Sequence, residues 1–112
     1  MRPDDLLRIR HMIEAIEAAI RFTRGRIRDD LDKDEMLAFA LTRAIEIIGE
    51  AANGISAETQ AAHADVPWAK IIGMRNRLVH AYFDVNLDIL WTTATEAAPD
   101  LLPLLRPLLP AD

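Results

Sequence analysis

The chain has 112 residues, of which 51% are hydrophobic and 28% charged, and its formal net charge is −5 at pH 7. This composition excludes a disordered chain and predicts a single domain, 1–112, that buries a modest core. The acidic balance argues against a protein that coats nucleic acid non-specifically, and the sequence contains no cysteine for disulfides or thiolate zinc sites.

Helix one is predicted to begin at Pro3, which suits the first helical position, with two aspartates beside the positive end of the helix dipole. Gly25 is its predicted stop, because glycine readily adopts the conformation that ends a helix. Between these points apolar residues recur every three or four positions, which is typical of an amphipathic helix: Leu6, Ile9, Ile13, Ile16 and Ile20.

A strongly charged turn is predicted between helix one and helix two. A basic cluster is followed at once by an acidic run, and the two comprise Arg21, Arg24, Arg26, Arg28, Asp29, Asp30, Asp32, Asp34 and Glu35. We interpret this segment as a solvated turn whose charges screen one another. The pattern favours neither an RNA-binding arm nor a metal site, since no histidine or further carboxylate is spaced to complete one.

Helix two is predicted to begin with a capping box, in which Asp32 is the N-cap and Glu35 reaches back to it. It is predicted to end at Asn53-Gly54, and the small residues around Gly49 permit a neighbouring helix to approach closely. Its apolar stripe comprises Leu37, Leu41, Ala44 and Ile48.

Three charged residues, Arg43, Glu46 and Glu50, are spaced to share one face of helix two. Two interpretations are open. They can form an exposed ion pair that contributes little to stability. They can also form a buried polar row that supports a site by holding a neighbouring helix or the guanidinium of Arg75.

Helix three is predicted to cover 67–82, after a short additional helix at 57–62. Arg75 falls within its apolar stripe, so its guanidinium should need a carboxylate, carbonyls or a phosphate to offset desolvation. In a continuous helix Asn76 and His80 lie on one face, as an i, i+4 pair. The stripe itself comprises Trp68, Ile71, Ile72, Arg75, Leu78, Val79 and Tyr82.

Helix four is predicted to begin near Asp84 or Asn86, both of which are good N-caps. Four prolines towards the end of the chain should kink or fray it: Pro99, Pro103, Pro107 and Pro110. Four amphipathic helices with short connections predict an all-α fold, an antiparallel four-helix bundle with a short additional helix.

The segment around Arg75 carries the groups that RNA cleavage by the neighbouring 2′-hydroxyl requires. Histidine can act as a base or an acid near neutral pH, which suits His80. Arginine grips phosphate oxygens bidentately, and Asn76 can orient the imidazole or donate to phosphate. One imidazole supplies only one of the two proton transfers, so we expect a twofold homodimer that brings two copies of the segment into one cleft.

The pattern Arg75-x4-His80-x-Tyr82, with Asn76 directly after the arginine, resembles the Rx4HxY signature of the HepT-like HEPN family. The resemblance covers nearly the whole chain and includes two flanking segments, AIEIIGEA at 44–51 and WAKIIGMRNR at 68–77.

The resemblance implies an all-helical HEPN bundle, a homodimer with both motifs facing a shared cleft, and metal-independent endoribonuclease activity. It further implies the toxin of a bacterial toxin–antitoxin pair, whose partner, a minimal nucleotidyltransferase, transfers AMP from ATP to the motif tyrosine. Carried over to this sequence, Arg75 and His80 are catalytic, Asn76 supports them, and Tyr82 accepts AMP.

Arg77 is interpreted as a surface cation that can contact the RNA backbone. We expect no cofactor, no metal and no membrane association. A cytoplasmic location is predicted, because no leader-like segment opens the sequence and charges interrupt every apolar run. An alternative function stays open, in which the motif binds a nucleotide or a nucleotidyltransferase without cutting RNA.

Overall fold

The computed structural model of the chain describes residues 1–81 and 84–111, and for 79–81 it describes the backbone. Two long helices, α1 (Pro3–Thr23) and α3 (Glu35–Asn53), pack along each other at its centre. Their predicted apolar stripes supply much of the core, each fully buried Ile or Leu contributing about 2 kcal/mol of transfer free energy. The largest fully buried apolar side chains of these two helices are Ile9, Met12, Ile16, Leu41, Ile45 and Ile48.

The turn between these helices differs from its predicted capping pattern. Arg24 is the C-cap of α1, and Gly25 follows with a φ of 72°, which confirms the predicted stop. A separate helical turn, α2 (Asp30–Lys33), precedes α3. The N-cap of α3 is therefore Asp34, which accepts a hydrogen bond from the backbone N–H of Leu37 at 3.1 Å. The prediction of Asp32 as the cap is wrong, because that residue lies inside α2.

The charges of this turn pair with one another, which confirms the interpretation of a solvated, self-screened segment. Arg26 contacts Asp34 at 2.8 Å and Asp30 at 3.3 Å. Arg28 contacts Asp32 at 3.0 Å and, across the fold, Asp88 at 2.6 Å. The hydrogen bond from Arg26 lowers the pKa of Asp34 below its ordinary value.

A buried carboxylate ties the start of α1 to α4 (Ala57–Ala62). Asp5 accepts hydrogen bonds from the Ser56 backbone N–H at 2.9 Å, the Ser56 hydroxyl at 2.6 Å and the Thr59 hydroxyl at 2.7 Å. These bonds lower the pKa of Asp5 to about 2 despite its burial, and the bond from the Ser56 hydroxyl has the largest effect. Ser56 is also the N-cap of α4, so one serine links α1 to α4.

Predicted helix three is not continuous in the structure. It divides into α5 (Trp68–Ile72) and α6 (Met74–Leu78), which meet at Gly73. The chain then becomes β1 (Val79–Ala81), antiparallel to β2 (Asp84–Val85). The Asn86 backbone N–H closes this hairpin on the Leu78 carbonyl at 2.7 Å. Pairing with β2 replaces the helical hydrogen bonds that the periodicity predicted, and it suits β-branched Val79.

The last part of the chain begins with α7 (Leu87–Thr92), capped by Asn86, which accepts from the Ile89 backbone N–H at 3.1 Å. This confirms one of the two predicted caps. The prolines interrupt the helix beyond α7, as predicted, since each lacks an N–H donor. The successive segments are a π-helical turn (Thr93–Ala97), a 3-10 turn (Pro99–Leu101), α8 (Leu102–Leu105) and a final 3-10 turn (Arg106–Leu108).

The prediction of a mainly helical fold is confirmed, and the two-stranded hairpin is an addition to it. α5 and α6 pack against α3. α7 contacts α2, α3 and α6, and the π-helical turn contacts α1 and α3. The four-helix bundle and the homodimer stay predictions. Within 1–81 and 84–111, none of the helices combines the length and apolar character needed to cross a membrane.

Candidate functional site

A small cleft of about 190 Å³ lies where α3 meets α5 and α6. Close approach of the backbones makes this junction tight: a Cβ atom on Gly49 would lie 3.3 Å from the Ile71 carbonyl oxygen. The predicted role of Gly49 in helix packing is thereby confirmed. The cleft is lined by Glu46, Gly49, Glu50, Asn53, Ile72, Arg75 and Asn76.

Arg75 lies at the rim of this cleft, and its side chain is 44% exposed. Its Nε is 3.6 Å from Oε2 of Glu46, a carboxylate that α3 presents to α6. The prediction that Arg75 belongs to the buried stripe is wrong. Met74, three residues after Ile71, takes the core position, so Arg75 faces the cleft and its guanidinium avoids most of the desolvation cost. The buried stripe of α5 and α6 is Trp68, Ile71, Met74 and Leu78.

The charged row on α3 shares features with both interpretations that its spacing left open. Arg43 and Glu50, 59% and 62% exposed, form a surface pair at 3.5 Å. Glu46 is 27% exposed and lies near two guanidiniums, 3.9 Å from Arg43 and 3.6 Å from Arg75. The row is therefore largely exposed, and Glu46 is its member that contacts Arg75.

Asn76 is exposed on α6 and lines the cleft beside Arg75. His80 lies in β1, not on a helix, so the predicted pairing of Asn76 and His80 on one helical face is wrong. The hairpin register shifts between Val79 and Ala81, on either side of His80. Tyr82 lies outside the described residues.

Arg77 faces a different part of the surface from the Arg75 cleft. It is exposed, and its Nη2 donates to the Lys70 carbonyl oxygen at 3.3 Å. With Asp88 and Ile89 it lines a separate cavity of about 450 Å³ beside α7. The structure therefore places Arg75 and Asn76 together and directs Arg77 elsewhere.

Three lining residues of the cleft were not singled out from the sequence as site residues: Gly49, which was predicted only as a packing residue, Asn53 and Ile72. Asn53 follows Glu46 and Glu50 by seven and three positions, which places it on the same helical face. That spacing could have identified Asn53 as a lining residue from the sequence. The participation of Ile72 depends on how closely α5 approaches Gly49, which no local pattern reports.

The arrangement provides a guanidinium next to a carboxylate, an amide that lines the same cleft, and a hairpin that carries a histidine five residues after the arginine. Arginine presents its donors in a planar fork that matches phosphate. Amide and guanidinium donors at an open cleft are suited to a phosphodiester ligand.

The fold and this cleft define a small, mainly helical protein with an Arg-x4-His-x-Tyr segment that runs from a helix into a hairpin. Residues 12–108 match the family model described as "Ribonuclease HepT-like". The chain belongs to the HepT-like family.

Relatives agree with this assignment. A "Putative RNase" of Caldanaerobacter subterraneus is 39% identical over 93 residues, which cover 83% of each protein. A "Probable ribonuclease HepT" of Thermococcus cleftensis is 42% identical over 88 residues, covering 79% of this chain and 80% of the relative. A "Putative RNase" of Methanocaldococcus jannaschii is 32% identical over 90 residues, covering 80% and 83%. No solved structure matches the chain significantly.

Proposed function

We propose that this protein is a metal-independent endoribonuclease of the HepT type. One observation carries the proposal: the exposed Arg75 guanidinium lines an open cleft together with Asn76, 3.6 Å from Glu46 and five residues before His80. An exposed, oriented guanidinium fits a phosphodiester better than it fits a purely structural role, because a surface ion pair adds little stability. Membership of a family whose named relatives are ribonucleases supports the same activity.

The proposed reaction uses the RNA 2′-hydroxyl as nucleophile. A base removes its proton, the oxygen attacks the adjacent phosphorus, and an acid protonates the departing 5′-oxygen. The products are a 2′,3′-cyclic phosphate and a 5′-hydroxyl. His80 performs one proton transfer, and Arg75 stabilises the charge that accumulates on the phosphorane oxygens. Asn76 supports this by orienting the imidazole or donating to phosphate.

A homodimer completes the site in this proposal. Each chain brings one motif histidine, and the reaction uses a base and an acid on opposite sides of the phosphorus. A twofold axis beside the cleft supplies the second imidazole from the other subunit, and an isologous interface gives two guanidiniums to the same substrate.

The biological role that we propose is that of a toxin controlled by a minimal nucleotidyltransferase antitoxin. The antitoxin transfers AMP from ATP to the hydroxyl of Tyr82, two residues beyond His80, and releases pyrophosphate. Because the attached group is a bulky anion, it opposes entry of the RNA backbone by both sterics and charge.

Cleavage of RNA in the presence of excess EDTA tests the proposed activity. The purified chain is expected to cut RNA internally and to leave 2′,3′-cyclic phosphate ends, which end-group analysis identifies. Neither outcome requires a divalent ion, because the proton transfers and charge stabilisation come from side chains. If the pure protein binds nucleotides or a nucleotidyltransferase but never cuts RNA without metal, the chain is a binding module and not a ribonuclease.

Tyr82→Phe is expected to abolish AMP attachment by the cognate nucleotidyltransferase while leaving RNA cleavage intact, since only the phenolic oxygen is removed. Intact-mass measurement after incubation with ATP reports each added AMP, and the same sample is assayed on RNA. Wild type should gain mass and lose activity together. Attachment that persists in the Tyr82→Phe variant would show that another residue accepts AMP.

A further inference from the structure

We infer that Glu46 is the positioning residue for Arg75, an inference that rests on the proposed ribonuclease function. Glu46 Oε2 lies 3.6 Å from Nε of the guanidinium. In this inference the carboxylate holds the arginine at Nε and leaves its two terminal nitrogens for a phosphate, which a guanidinium can grip through a pair of parallel N–H bonds.

The helix framework makes Glu46 a fixed reference point for this contact. It lies in the middle of α3, whose neighbouring positions Ile45 and Ile48 are fully buried. One turn further along, Gly49 holds α3 against the carbonyl of Ile71 at the end of α5. The carboxylate therefore extends from a rigid helix towards a guanidinium whose own stem is long and flexible. Without it, Arg75 would sample many rotamers before meeting phosphate.

The nearby Arg43 limits the competition between Glu46 and phosphate for the guanidinium of Arg75. Arg43 Nη1 lies 3.9 Å from Glu46 Oε2 and 3.5 Å from Glu50 Oε1, so the same carboxylate oxygen that faces Arg75 also lies near a second cation. This arrangement reduces the tendency of Glu46 to close fully onto Arg75. A phosphate that arrives at the terminal nitrogens then adds to the existing contact and need not displace it.

The contact between Glu46 and Arg75 affects the rate of catalysis and contributes little to the free energy of unfolding. Arg75 is 44% exposed and Glu46 27%, and ion pairs that face solvent contribute little to the free energy of unfolding. Orientation of a catalytic cation, in contrast, acts on the transition state, where a displacement of about 1 Å can cost on the order of 100-fold in rate.

Glu46→Gln tests this assignment, because it retains the shape of the side chain and removes its charge. We expect kcat for RNA cleavage to fall roughly 10- to 100-fold, with KM within about threefold of wild type. Glu17→Gln is the matched control, since Glu17 also forms an exposed ion pair at 3.6 Å, with Arg106 on a different part of the surface. Both variants should melt within about 2 °C of wild type.

A second measurement reads the position of Arg75 without any RNA. In 15N-labelled protein, exchange of the Arg75 Nε–H with water should be slow in wild type and Glu17→Gln, and faster in Glu46→Gln. This keeps the inference testable even if the proposed ribonuclease activity fails, because the contact is observed directly. Equal exchange in all three proteins would overturn it. A lower KM with unchanged kcat in Glu46→Gln would also overturn it, by showing that the carboxylate merely competes with phosphate.

Discussion

His80→Ala is expected to lower the rate of metal-free RNA cleavage about 100- to 10,000-fold, the range that loss of one general acid or base produces. The imidazole is the group in the motif whose ordinary titration range permits it both to take and to give a proton near neutral pH. Substrate binding should weaken much less, because Arg75 still engages the phosphate. Single-turnover cleavage of a labelled RNA measures the rate, and retention of the RNA on a filter measures binding.

The matched control for this variant is His11→Ala, which removes an exposed histidine on α1. It should cut RNA at the wild-type rate. Both variants should melt at the wild-type temperature, so that a loss of activity cannot be attributed to unfolding. Full activity of His80→Ala would refute the assigned role of the imidazole and leave the metal-free mechanism without its proton-transfer group.

Mixed oligomers extend the same experiment to the proposed homodimer. If each site uses one imidazole from each subunit, a dimer of wild type and His80→Ala is inactive, and activity falls as the square of the wild-type fraction. If one subunit suffices, activity falls linearly with that fraction. Co-refolding the two proteins at several ratios, followed by the RNA assay, separates the two dependences.

Asp5→Ala is expected to lower the free energy of unfolding by about 2 to 4 kcal/mol. The substitution removes a buried acceptor of three hydrogen bonds and leaves the Ser56 and Thr59 donors without it. Urea denaturation measures the change. Asp4→Ala is the matched control, because Asp4 lies in the same first turn of α1 but is exposed. Asp4→Ala should lower the free energy of unfolding by only roughly 0.5 kcal/mol, through loss of the interaction between this carboxylate and the helix dipole.

The same carboxylate predicts how stability depends on pH. Folding lowers the pKa of Asp5 from 3.8 to about 2, because the bound hydroxyl and N–H groups favour the charged form. Asp5 therefore stabilises the fold fully above about pH 4, and this contribution of about 2 kcal/mol is lost as the pH falls through 2. Wild type should destabilise more than Asp5→Ala between pH 4 and pH 2. Parallel curves for the two proteins would contradict the assignment.

Local patterns in the sequence were sufficient for the features that depend on neighbouring residues. The spacing of Ile9, Ile13 and Ile16 predicted the buried face of α1, and the structure buries that face. Asn86 was predicted as a cap from its residue type, since a short polar side chain next to an apolar run satisfies the first free N–H groups of a helix. The order of polar groups from Arg75 to Tyr82 indicated the family through residue type and spacing alone.

The end of predicted helix three could not be deduced in the same way. Periodicity from Trp68 to Tyr82 is helical throughout, yet the chain leaves the helix after Leu78. The competing structure is the pairing of Val79 with Val85, six residues away. Periodicity reports only how well the segment suits a helix. The folded chain adopts whichever of the helix and the hairpin has the lower free energy. The exposure of Arg75 has a different reason: the buried stripe is Trp68, Ile71, Met74 and Leu78, whose spacing a helix also allows, whereas the predicted stripe included Arg75 in place of Met74.

The sequence by itself determined the helical character of this protein, the faces that its long helices bury, and the family to which it belongs. These depend on spacing and residue type, which act over one or two helical turns. Tertiary structure alone decided that Asp5 is buried against donors more than fifty positions away, and that Glu46 meets Arg75. Contacts of that kind depend on how the helices pack, and the packing minimises the free energy of the whole chain, which no single segment determines.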